Sequence, residues 1–521
     1  MSFRLTYATM FDPPAELHDA FDAALLRVRS RLGATHAHYI NGRDCNAAGT
    51  QATVSPIDTS VRLGDFPRAS ADDVNAAVSA AAGAYPGWRR TPAQARAAAL
   101  GRVARLIESR VYDIAAAVSL EVGKNRSEAL GEVQETADFF DYYAQDFLGK
   151  GFDRELPDDP VKGARSRNRS VLKPYGAWGV IAPFNFPFAL AGGPVAAALM
   201  TGNTVVLKGS HDTPWAGRLL ADCIRDADLP PGVFNYTNGD GADAGAALVA
   251  HPATAGVTFT GSQRTGLQIA RRLLAGNVPR PCIAEMGGKN ATIVTARADL
   301  ERATTGILRS AFGLSGQKCS ALSRIYVDAS VADELLARLR SAVAAVAVGD
   351  PTQRDNWMGP VINARAYGNY SRYCTALRES GARIVAGGEQ LRGGALARGY
   401  YCAPTLAEAP LDHPLWQQEL FVPVAMLARV PDRDRAMQLA NDSELGLTAG
   451  FYGGPDEVDW FFEHIEAGVA YANRPQGATT GAWPGYQPFG GWKGSGTTGK
   501  GIASDYYLAL YQREQSQTRV D

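Results

Sequence analysis

The chain has 521 residues, more than one simple hydrophobic core accommodates, so two or three domains are expected. Its 52 lysine and arginine residues are balanced by 53 aspartate and glutamate residues, which leaves no basic excess for a nucleic-acid backbone or an anionic membrane. The longest apolar stretch, Phe188 to Met200, is too short and too glycine-interrupted to cross a bilayer, and the N-terminus has no apolar run of signal-peptide length. These features predict a globular cytoplasmic protein that binds neither nucleic acid nor membrane.

The cysteine and histidine pattern gives no sign of a metal site. The six cysteines, at positions 45, 223, 282, 319, 374 and 402, lie far apart and form no CxxC motif. His36 and His38 are the only close histidine pair, and a surface turn is the favoured interpretation because further ligand-type residues are missing nearby. We expect reduced cysteines and no bound metal.

Local signals predict helices first and an α/β alternation afterwards. Ser70 can cap one helix, and Thr91 followed by Pro92 begins a second, alanine-rich one. From residue 177 the apolar segments AWGVIAP, NTVVLKG, GVFNYT and GVTFTGS alternate with helical stretches. This rhythm predicts a Rossmann-type parallel sheet, whose strands bind ligands at their carboxyl ends, so a dinucleotide is the first candidate ligand. The glycines at 239, 241 and 245 read GxGxxxG, which fits a packing turn as well as a phosphate loop.

A second series of strands and helices begins near residues 291–295 (ATIVT) and predicts a second α/β domain. The charged stretch 151–170 lacks a clear period and fits an excursion that returns as a hairpin. The C-terminal residues alternate like a strand, and an exposed edge strand invites pairing with another subunit.

Three segments carry residues suited to covalent catalysis. Cys319 lies in GLSGQKCSALSR, where small residues bring the backbone close to the thiol, although a lone cysteine is more often an inert core residue. Glu285 begins EMGGKN after an apolar strand and is a candidate general base rather than a solvated surface charge. Asn185, in IAPFNFPF, either donates to a developing oxyanion or caps a turn before Pro187.

In this order and at these separations, the motifs PFNFPF, GNTVVLKGS, FTGS, EMGGKN, GQKCS, QELFVPV and QPFGG resemble those of the aldehyde dehydrogenase superfamily over nearly the whole chain. The resemblance implies an NAD(P)-binding domain (1–150 and 171–285), a catalytic domain (286–475) and a small β oligomerisation flap (151–170 and 500–521). It also implies a homo-oligomer, either a dimer or a multiple of dimers.

The resemblance further implies the roles of the catalytic residues. Cys319 would be the nucleophile, Glu285 the base that activates the hydrolytic water, and Asn185 an oxyanion donor together with the Cys319 backbone amide. A free thiol is only a few per cent thiolate at neutral pH, so a nearby positive charge such as Lys318 or the nicotinamide is expected to help.

The cofactor implied by the resemblance is NAD, with NADP possible. The positions that match cofactor contacts are Lys208, Ser210, His211, Gly241, Gly261, Ser262, Glu419 and Phe421. Three residues depart from the usual pattern: His211 stands where NAD-selective relatives have glutamate, Gly209 replaces a frequent proline, and Val422 replaces a glycine, which puts the local backbone near Glu419 in question.

Within the superfamily, the segment 478–510 and the serine after the nucleophile are most similar to the 1-pyrroline-5-carboxylate dehydrogenases, which oxidise glutamate γ-semialdehyde. This similarity implies that the amides of Gly481 and Ala482, with the Ser320 hydroxyl, bind the substrate carboxylate. The remaining substrate contacts it implies are Glu135 for the ammonium group, Phe186 and Phe489 for the aliphatic chain, and Lys318 beside the nucleophile.

Two alternatives stay open at the level of sequence. Trp483 and Pro484 replace small aliphatic residues expected there, which leaves room for another semialdehyde such as succinate semialdehyde or an aminoaldehyde. A non-catalytic dinucleotide-binding protein with the same fold is the alternative of a different class, although nucleophile, base and oxyanion donor occur together. A CoA-acylating enzyme is disfavoured because hydrolysis gives Glu285 its purpose.

Overall fold

The structure is a computed structural model that describes residues 13–47, 49–159, 166–475 and 483–520. Its α-helices are α1 Ala15–Arg29, α2 Ala71–Trp88, α3 Ala93–Ser109, α4 Val111–Val122, α5 Arg126–Lys150, α6 Ala189–Met200, α7 Pro214–Asp226, α8 Ala246–Ala250, α9 Gln263–Leu274, α10 Leu300–Phe312, α11 Ala332–Ala344, α12 Ala364–Glu379, α13 Arg433–Asn441 and α14 Val458–His464.

The strands are β1 Ala34–Thr35, β2 His38–Ile40, β3 Arg43–Cys45, β4 Gly49–Val54, β5 Arg62–Arg68, β6 Arg154–Leu156, β7 Ser166–Pro174, β8 Ala177–Ile181, β9 Thr204–Lys208, β10 Phe234–Thr237, β11 Thr254–Thr260, β12 Cys282–Glu285, β13 Asn290–Val294, β14 Leu322–Asp328, β15 Arg383–Ala386, β16 Thr405–Glu408, β17 Val424–Val430, β18 Leu445–Gly446, β19 Thr448–Tyr452, β20 Val469–Ala472, β21 Trp492–Lys493 and β22 Gln512–Val520.

The first large sheet has the strand order β12-β11-β8-β9-β10-β2-β3, and β8 to β12 run parallel. Because β8 pairs with both β9 and β11, the order reverses on either side of β8, which is where open parallel sheets bind ligands. The predicted α/β alternation from residue 177 is therefore confirmed. A second large sheet, β15-β16-β17-β14-β13-β19-β20, forms the second α/β body.

The local signals in the N-terminal part match the structure. Ser70 caps α2 in a reciprocal capping box, since its side chain accepts from the Asp73 amide and Asp73 accepts from the Ser70 amide. Helix α3 begins directly after Pro92. The helices α3, α4, α5 and α6 pack together into a core that is continuous with one face of the first sheet.

The stretch 151–170 and the C-terminus meet in one small sheet of order β22-β7-β6. All nine residues of β22 pair antiparallel with β7. This sheet joins the two segments predicted to form the flap, whose role in oligomerisation stays a prediction. Strand β7 extends to Pro174, beyond the predicted limit of 170, and the segment before β22 contributes Tyr507 and Tyr511 to the core beside the first sheet. Strand β22 pairs on one side only among the described residues.

The interpretation of His36 and His38 as a surface turn is wrong. His38 is fully buried in β2, where its Nδ1 accepts a hydrogen bond of 3.3 Å from the Asn238 amide, and His36 stacks on Phe66 with ring centroids 4.5 Å apart. Burial lowers the pKa of His38 to about 4, so it is a neutral core residue.

In the described ranges no group of His, Cys, Asp and Glu side chains is arranged to hold a metal ion, and no helix is long and apolar enough to span a membrane.

Candidate active site

Cys319 lies on a tight loop between α10 and β14. The loop contains three consecutive residues with positive φ, Leu314, Ser315 and Gly316, two of which are not glycine. Such backbone is costly and persists only where the surroundings hold it. Here the Ser315 hydroxyl donates to the Gly359 carbonyl at 2.7 Å, and the Gln317 side chain accepts from the Ile362 amide at 2.9 Å.

The other side of the loop is fixed by Asn290 at the start of β13. Its side-chain amide donates to the carbonyl of Cys319 at 2.7 Å and to that of Ala321 at 2.9 Å. The backbone of the cysteine is therefore held from two directions, which is what a nucleophile that must meet its substrate at a defined angle requires.

The Cys319 thiol is protonated in the protein without ligands. Burial raises its pKa to about 12, with further contributions from the negative charges of Glu419 and Glu285, while backbone amides of Ser320 and Cys319 act in the opposite direction. Lys318 does not offset these charges, because its ammonium group is paired with Glu128 at 2.8 Å. Lys318 was predicted to favour the thiolate by its positive charge, but in the structure this charge is balanced by Glu128 on α5.

Asn185 shares a cavity of about 340 Å³ with Cys319. It follows β8 and is buried, and its side-chain amide donates one hydrogen bond of 2.9 Å to the carbonyl of Gln317, two residues before the nucleophile. An amide group has two N–H donors, so one remains for an oxygen atom bound at the thiol. The pair is therefore suited to hold an oxyanion.

Glu285 ends strand β12, and its carboxyl group is enclosed. The Oε2 atom is buried without a hydrogen-bond partner in the described chain, and desolvation raises the pKa of the group well above its usual value despite a backbone hydrogen bond from Gly491. A carboxyl group with a raised pKa is matched to proton transfer near neutral pH.

Two adjoining cavities run along the carboxyl ends of the parallel strands. The larger, of about 620 Å³, is lined by Lys208, His211 and Gly241, whereas the 340 Å³ cavity is lined by Gly261, Ser262 and Cys319; Ser210 lines both. The shared Ser210 places the two cavities side by side between Lys208 at the end of β9 and Cys319, in the region where the sequence predicts a dinucleotide.

Lys208 offers a specific fit for the ribose of such a ligand. It is buried at the end of β9, its amine makes no hydrogen bond within the described residues, and desolvation lowers its pKa to about 8. A buried amine without a hydrogen-bond partner is stabilised when a ligand hydroxyl accepts a hydrogen bond from it.

The helix start at the pyrophosphate position differs in detail from the prediction. The Gly261 amide donates to the carbonyl of Glu285 at 3.1 Å and is not available to a phosphate, and the Ser262 side chain caps α9 by accepting from the Thr265 amide. Gly261 instead permits close approach, since a Cβ there would lie 2.5 Å from the Phe259 ring. The free amides of the first turn of α9 remain for an anion.

His211, at the mouth of the larger cavity, is tied to its neighbours. Its Nδ1 lies 3.1 Å from Gln51 Oε1 and 3.1 Å from Asp240 Oδ1, and Asp240 is paired with Arg68 at 2.6 Å. A carboxylate is therefore present beside the position where NAD-selective relatives have glutamate, but it comes from another loop.

Glu419 and Phe421 line the smaller cavity, where the sequence predicts contacts to the nicotinamide ribose. Glu419 accepts a hydrogen bond of 3.0 Å from the Gly288 amide, and burial raises its pKa to about 7. Phe421 has φ of +56° and packs edge-on against Phe184 with ring centroids 5.7 Å apart. The Val422 side chain packs in the core of the second domain. Its backbone lies close to Gly316, where a Cβ would be only 2.5 Å from the Val422 carbonyl oxygen, so the glycine makes this approach possible.

The proposed substrate contacts are partly within the described chain. Glu135 on α5 and Ser320 are buried, and Phe186 and Phe489 are partly buried against the first core. Gly481 and Ala482 lie outside the described residues.

Two ion pairs near these residues, Lys318–Glu128 and Lys124–Glu132, were not anticipated from sequence. Lys124 and Glu132 form a fully buried pair at 2.5 Å, and the Lys124 ammonium lies 3.4 Å from the centre of the Phe186 ring. Glu132 also accepts from the amides of Phe188 at 2.8 Å and Ala189 at 3.2 Å. None of Lys124, Glu128 and Glu132 belongs to a motif; Lys124 precedes α5, and only the four-residue spacing of Glu128 and Glu132 on that helix gave any signal.

The model of the aldehyde dehydrogenase family matches residues 44–516. The chain belongs to the aldehyde dehydrogenase family. The fold, the enzyme class and the use of NAD or NADP predicted from the motifs are thereby confirmed.

Several similar proteins within the family are named 1-pyrroline-5-carboxylate dehydrogenase. The 1-pyrroline-5-carboxylate dehydrogenase of Geobacillus kaustophilus is 36% identical over 502 residues, 95% of each chain. The 1-pyrroline-5-carboxylate dehydrogenase 2 of Bacillus subtilis is 36% identical over 509 residues, 96% of this chain and 95% of that one. The solved structure of 1-pyrroline-5-carboxylate dehydrogenase from Thermus with bound NAD superposes with a TM-score of 0.92 at 32% identity, covering 100% of this chain and 99% of that one.

Proposed function

We propose that this aldehyde dehydrogenase oxidises L-glutamate γ-semialdehyde, the hydrolysed form of 1-pyrroline-5-carboxylate, to L-glutamate with NAD as cofactor. The observation that carries the proposal is that Cys319 and Asn185 line one cavity, which adjoins a larger one at the strand ends, while the charge of the enclosed Glu285 acts on the Cys319 thiol. The substrate is supported by the names of the similar proteins and by Ser320 next to the nucleophile.

The first half of the reaction is covalent addition. After the thiol has lost its proton to solvent, the Cys319 thiolate bonds to the aldehyde carbon, and the carbonyl oxygen becomes an oxyanion held by the free N–H of Asn185 and the backbone amide of Cys319. Donors of this kind commonly contribute about a hundredfold to a thousandfold in rate. NAD, when bound, supplies a positively charged ring near the thiol and accepts the hydride that converts the adduct to a thioester.

Hydrolysis completes the reaction. Glu285 takes a proton from a water molecule, whose oxygen attacks the thioester carbon, and Cys319 leaves as the thiolate. Its raised pKa makes the Glu285 carboxylate a stronger base than an exposed glutamate. The residues Lys208, Ser210 and Glu419 would hold the cofactor during these steps.

The substrate head group would be recognised by opposite charges and hydrogen bonds. Glu135 is a buried acidic residue proposed to face the ammonium group, and Ser320 provides a hydroxyl for the substrate carboxylate. Gly481 and Ala482 are proposed as further carboxylate donors on the basis of the resemblance alone. The aromatic side chains of Phe186 and Phe489 would enclose the aliphatic chain.

A panel of aldehydes assayed with NAD and with NADP tests this proposal. We expect glutamate γ-semialdehyde to exceed hexanal and betaine aldehyde in kcat/KM by about a hundredfold or more, because buried polar groups left unpaired penalise apolar analogues. Glu135→Ala should narrow the gap between glutamate semialdehyde and glutarate semialdehyde, which lacks the ammonium group. Equal efficiency with hexanal would overturn the substrate, and preferred turnover of succinate semialdehyde or an aminoaldehyde would replace it.

A further inference from the structure

A chain of buried hydrogen bonds runs beneath the first sheet. The Trp178 indole N–H donates to Thr258 Oγ1 at 2.9 Å, Thr258 donates to the Tyr511 hydroxyl at 3.0 Å, and Tyr511 donates to the Tyr507 hydroxyl at 2.9 Å. All four side chains are almost completely buried. An indole N–H can only donate, which is consistent with this direction along the chain.

Strand register places the chain on the same face as Glu285. Thr258 on β11 is opposite Ile283 on β12, and Thr260 is opposite Glu285. Side chains two residues apart on a strand share a face, so Ile283 and Glu285 point to the side on which Thr258 meets Tyr511. The packing agrees, because Ile283, Tyr507 and Tyr511 lie in one core cluster while Ala284 and Met286 lie in the cluster on the opposite face.

The Tyr507 hydroxyl and the Glu285 carboxyl group each have hydrogen-bonding capacity that no described residue satisfies. The Tyr507 hydroxyl accepts from Tyr511, but its own hydrogen has no acceptor within the described residues. Glu285 Oε2 is buried without a partner there as well. The negative charge of Glu285 acts on both tyrosines and contributes to their raised pKa. Buried tyrosine hydroxyls and carboxylates are nearly always hydrogen-bonded, and a single enclosed water molecule satisfies two such groups.

We infer that Tyr507 is a positioning residue for the general base, donating its hydroxyl hydrogen through a bound water molecule to Glu285 Oε2. This inference rests on the proposed role of Glu285 in thioester hydrolysis. The oriented chain from Trp178 to Tyr507 fixes the direction of that last donation. The donation stabilises the ionised carboxylate, so the base is ready for the hydrolytic water at a lower pH than desolvation alone permits.

Tyr507→Phe tests the inference because it removes the hydroxyl and keeps the ring. The pre-steady-state burst of reduced cofactor should keep its rate and amplitude, whereas steady-state turnover at neutral pH falls by about tenfold, the value of one hydrogen bond. The acidic limb of the kcat–pH profile should move to higher pH by about one unit. Tyr236→Phe is the matched control, since Tyr236 is equally buried and its hydroxyl donates to the Pro214 carbonyl at 2.8 Å.

Tyr511→Phe is a second variant that leaves the Tyr507 hydroxyl in place and breaks the chain one bond earlier; a smaller shift in the same direction is expected. Unchanged turnover and an unchanged acidic limb in Tyr507→Phe would overturn the inference, as would equal slowing of burst and turnover. The assay uses whichever aldehyde the unmodified enzyme turns over best, so a different substrate leaves this test intact. If Glu285→Gln did not slow deacylation, the proposed function would fail instead.

Discussion

At the scale of single residues, the thiol of Cys319 and its charged surroundings decide when the enzyme is reactive. Burial and the carboxylates of Glu419 and Glu285 hold the pKa of Cys319 at about 12, while Lys318 is paired with Glu128. A thiolate is therefore scarce until a positive charge arrives. Burial and these two carboxylates therefore limit side reactions of the proposed nucleophile in the enzyme without cofactor.

This arrangement predicts slow alkylation of Cys319 by iodoacetamide in the absence of NAD. Because the raised pKa lies above the assay range, the rate should rise about tenfold per pH unit without a plateau near neutrality. Saturating NAD should accelerate it. Peptide mapping by mass spectrometry follows the reaction, and Cys319→Ala, which should also abolish dehydrogenation, gives the background from other cysteines. A plateau near pH 7 without NAD would contradict this account.

His211 is the residue on which cofactor selectivity is expected to depend. Its imidazole lies 3.1 Å from Asp240, so His211→Glu would place a second carboxylate at the mouth of the cavity. The ratio of kcat/KM for NADP to that for NAD should fall by about tenfold, because like charges repel a 2′-phosphate. His211→Gln, which adds no charge, is the control. An unchanged ratio in His211→Glu would remove this residue from cofactor selection.

At the scale of elements, the buried pair of Lys124 and Glu132 connects helix α5 to the N-terminus of α6. Glu132 balances the Lys124 charge and accepts from two amides of the α6 start. Burial lowers the pKa of Lys124, and Glu132 opposes this effect. Removing one partner leaves a buried charge without compensation.

We therefore expect Glu132→Ala to lower the free energy of unfolding by about 3–5 kcal/mol. Urea titration at fixed protein concentration measures the change. The matched control is Glu334→Ala, which breaks the exposed pair with Arg338 on α11 and should leave the midpoint nearly unchanged. Equal midpoints for the two variants would show that the buried pair does not hold α5 and α6 together.

Sequence predicted the elements better than their assembly. The Ser70 cap, the start of α3 after Pro92 and the strands from residue 177 follow from local patterns, and the structure contains them. The pairing of Lys318 with Glu128 and the burial of His38 do not follow, because each partner lies far away in the chain and belongs to no motif. The family motifs identified Cys319, Glu285 and Asn185, whereas the Tyr507 hydroxyl emerged only from the register of β11 and β12.

At the scale of the whole molecule, β22 is an edge strand of nine residues. It pairs with β7 on one side and with no strand of the described residues on the other. We propose that it pairs with a second copy of the chain, because an exposed edge strand invites pairing and the family motifs in the sequence imply a homo-oligomer. Deleting residues 512–521 should reduce the mass measured by light scattering from a dimer, or a multiple of dimers, to a smaller species. Circular dichroism is the control for folding, and an unchanged mass would exclude this strand from the interface.

The central claim is that Cys319 carries the acyl group of glutamate γ-semialdehyde as a thioester that Glu285 helps to hydrolyse. The most direct measurement is intact-protein and peptide mass spectrometry of Glu285→Gln after mixing with this substrate and NAD. Because deacylation should be slowed more than acylation, the account predicts a glutamyl adduct on the peptide containing Cys319 and a burst of reduced cofactor of about one equivalent per active site. A variant that turns over without an adduct, or an adduct on another cysteine, would contradict it.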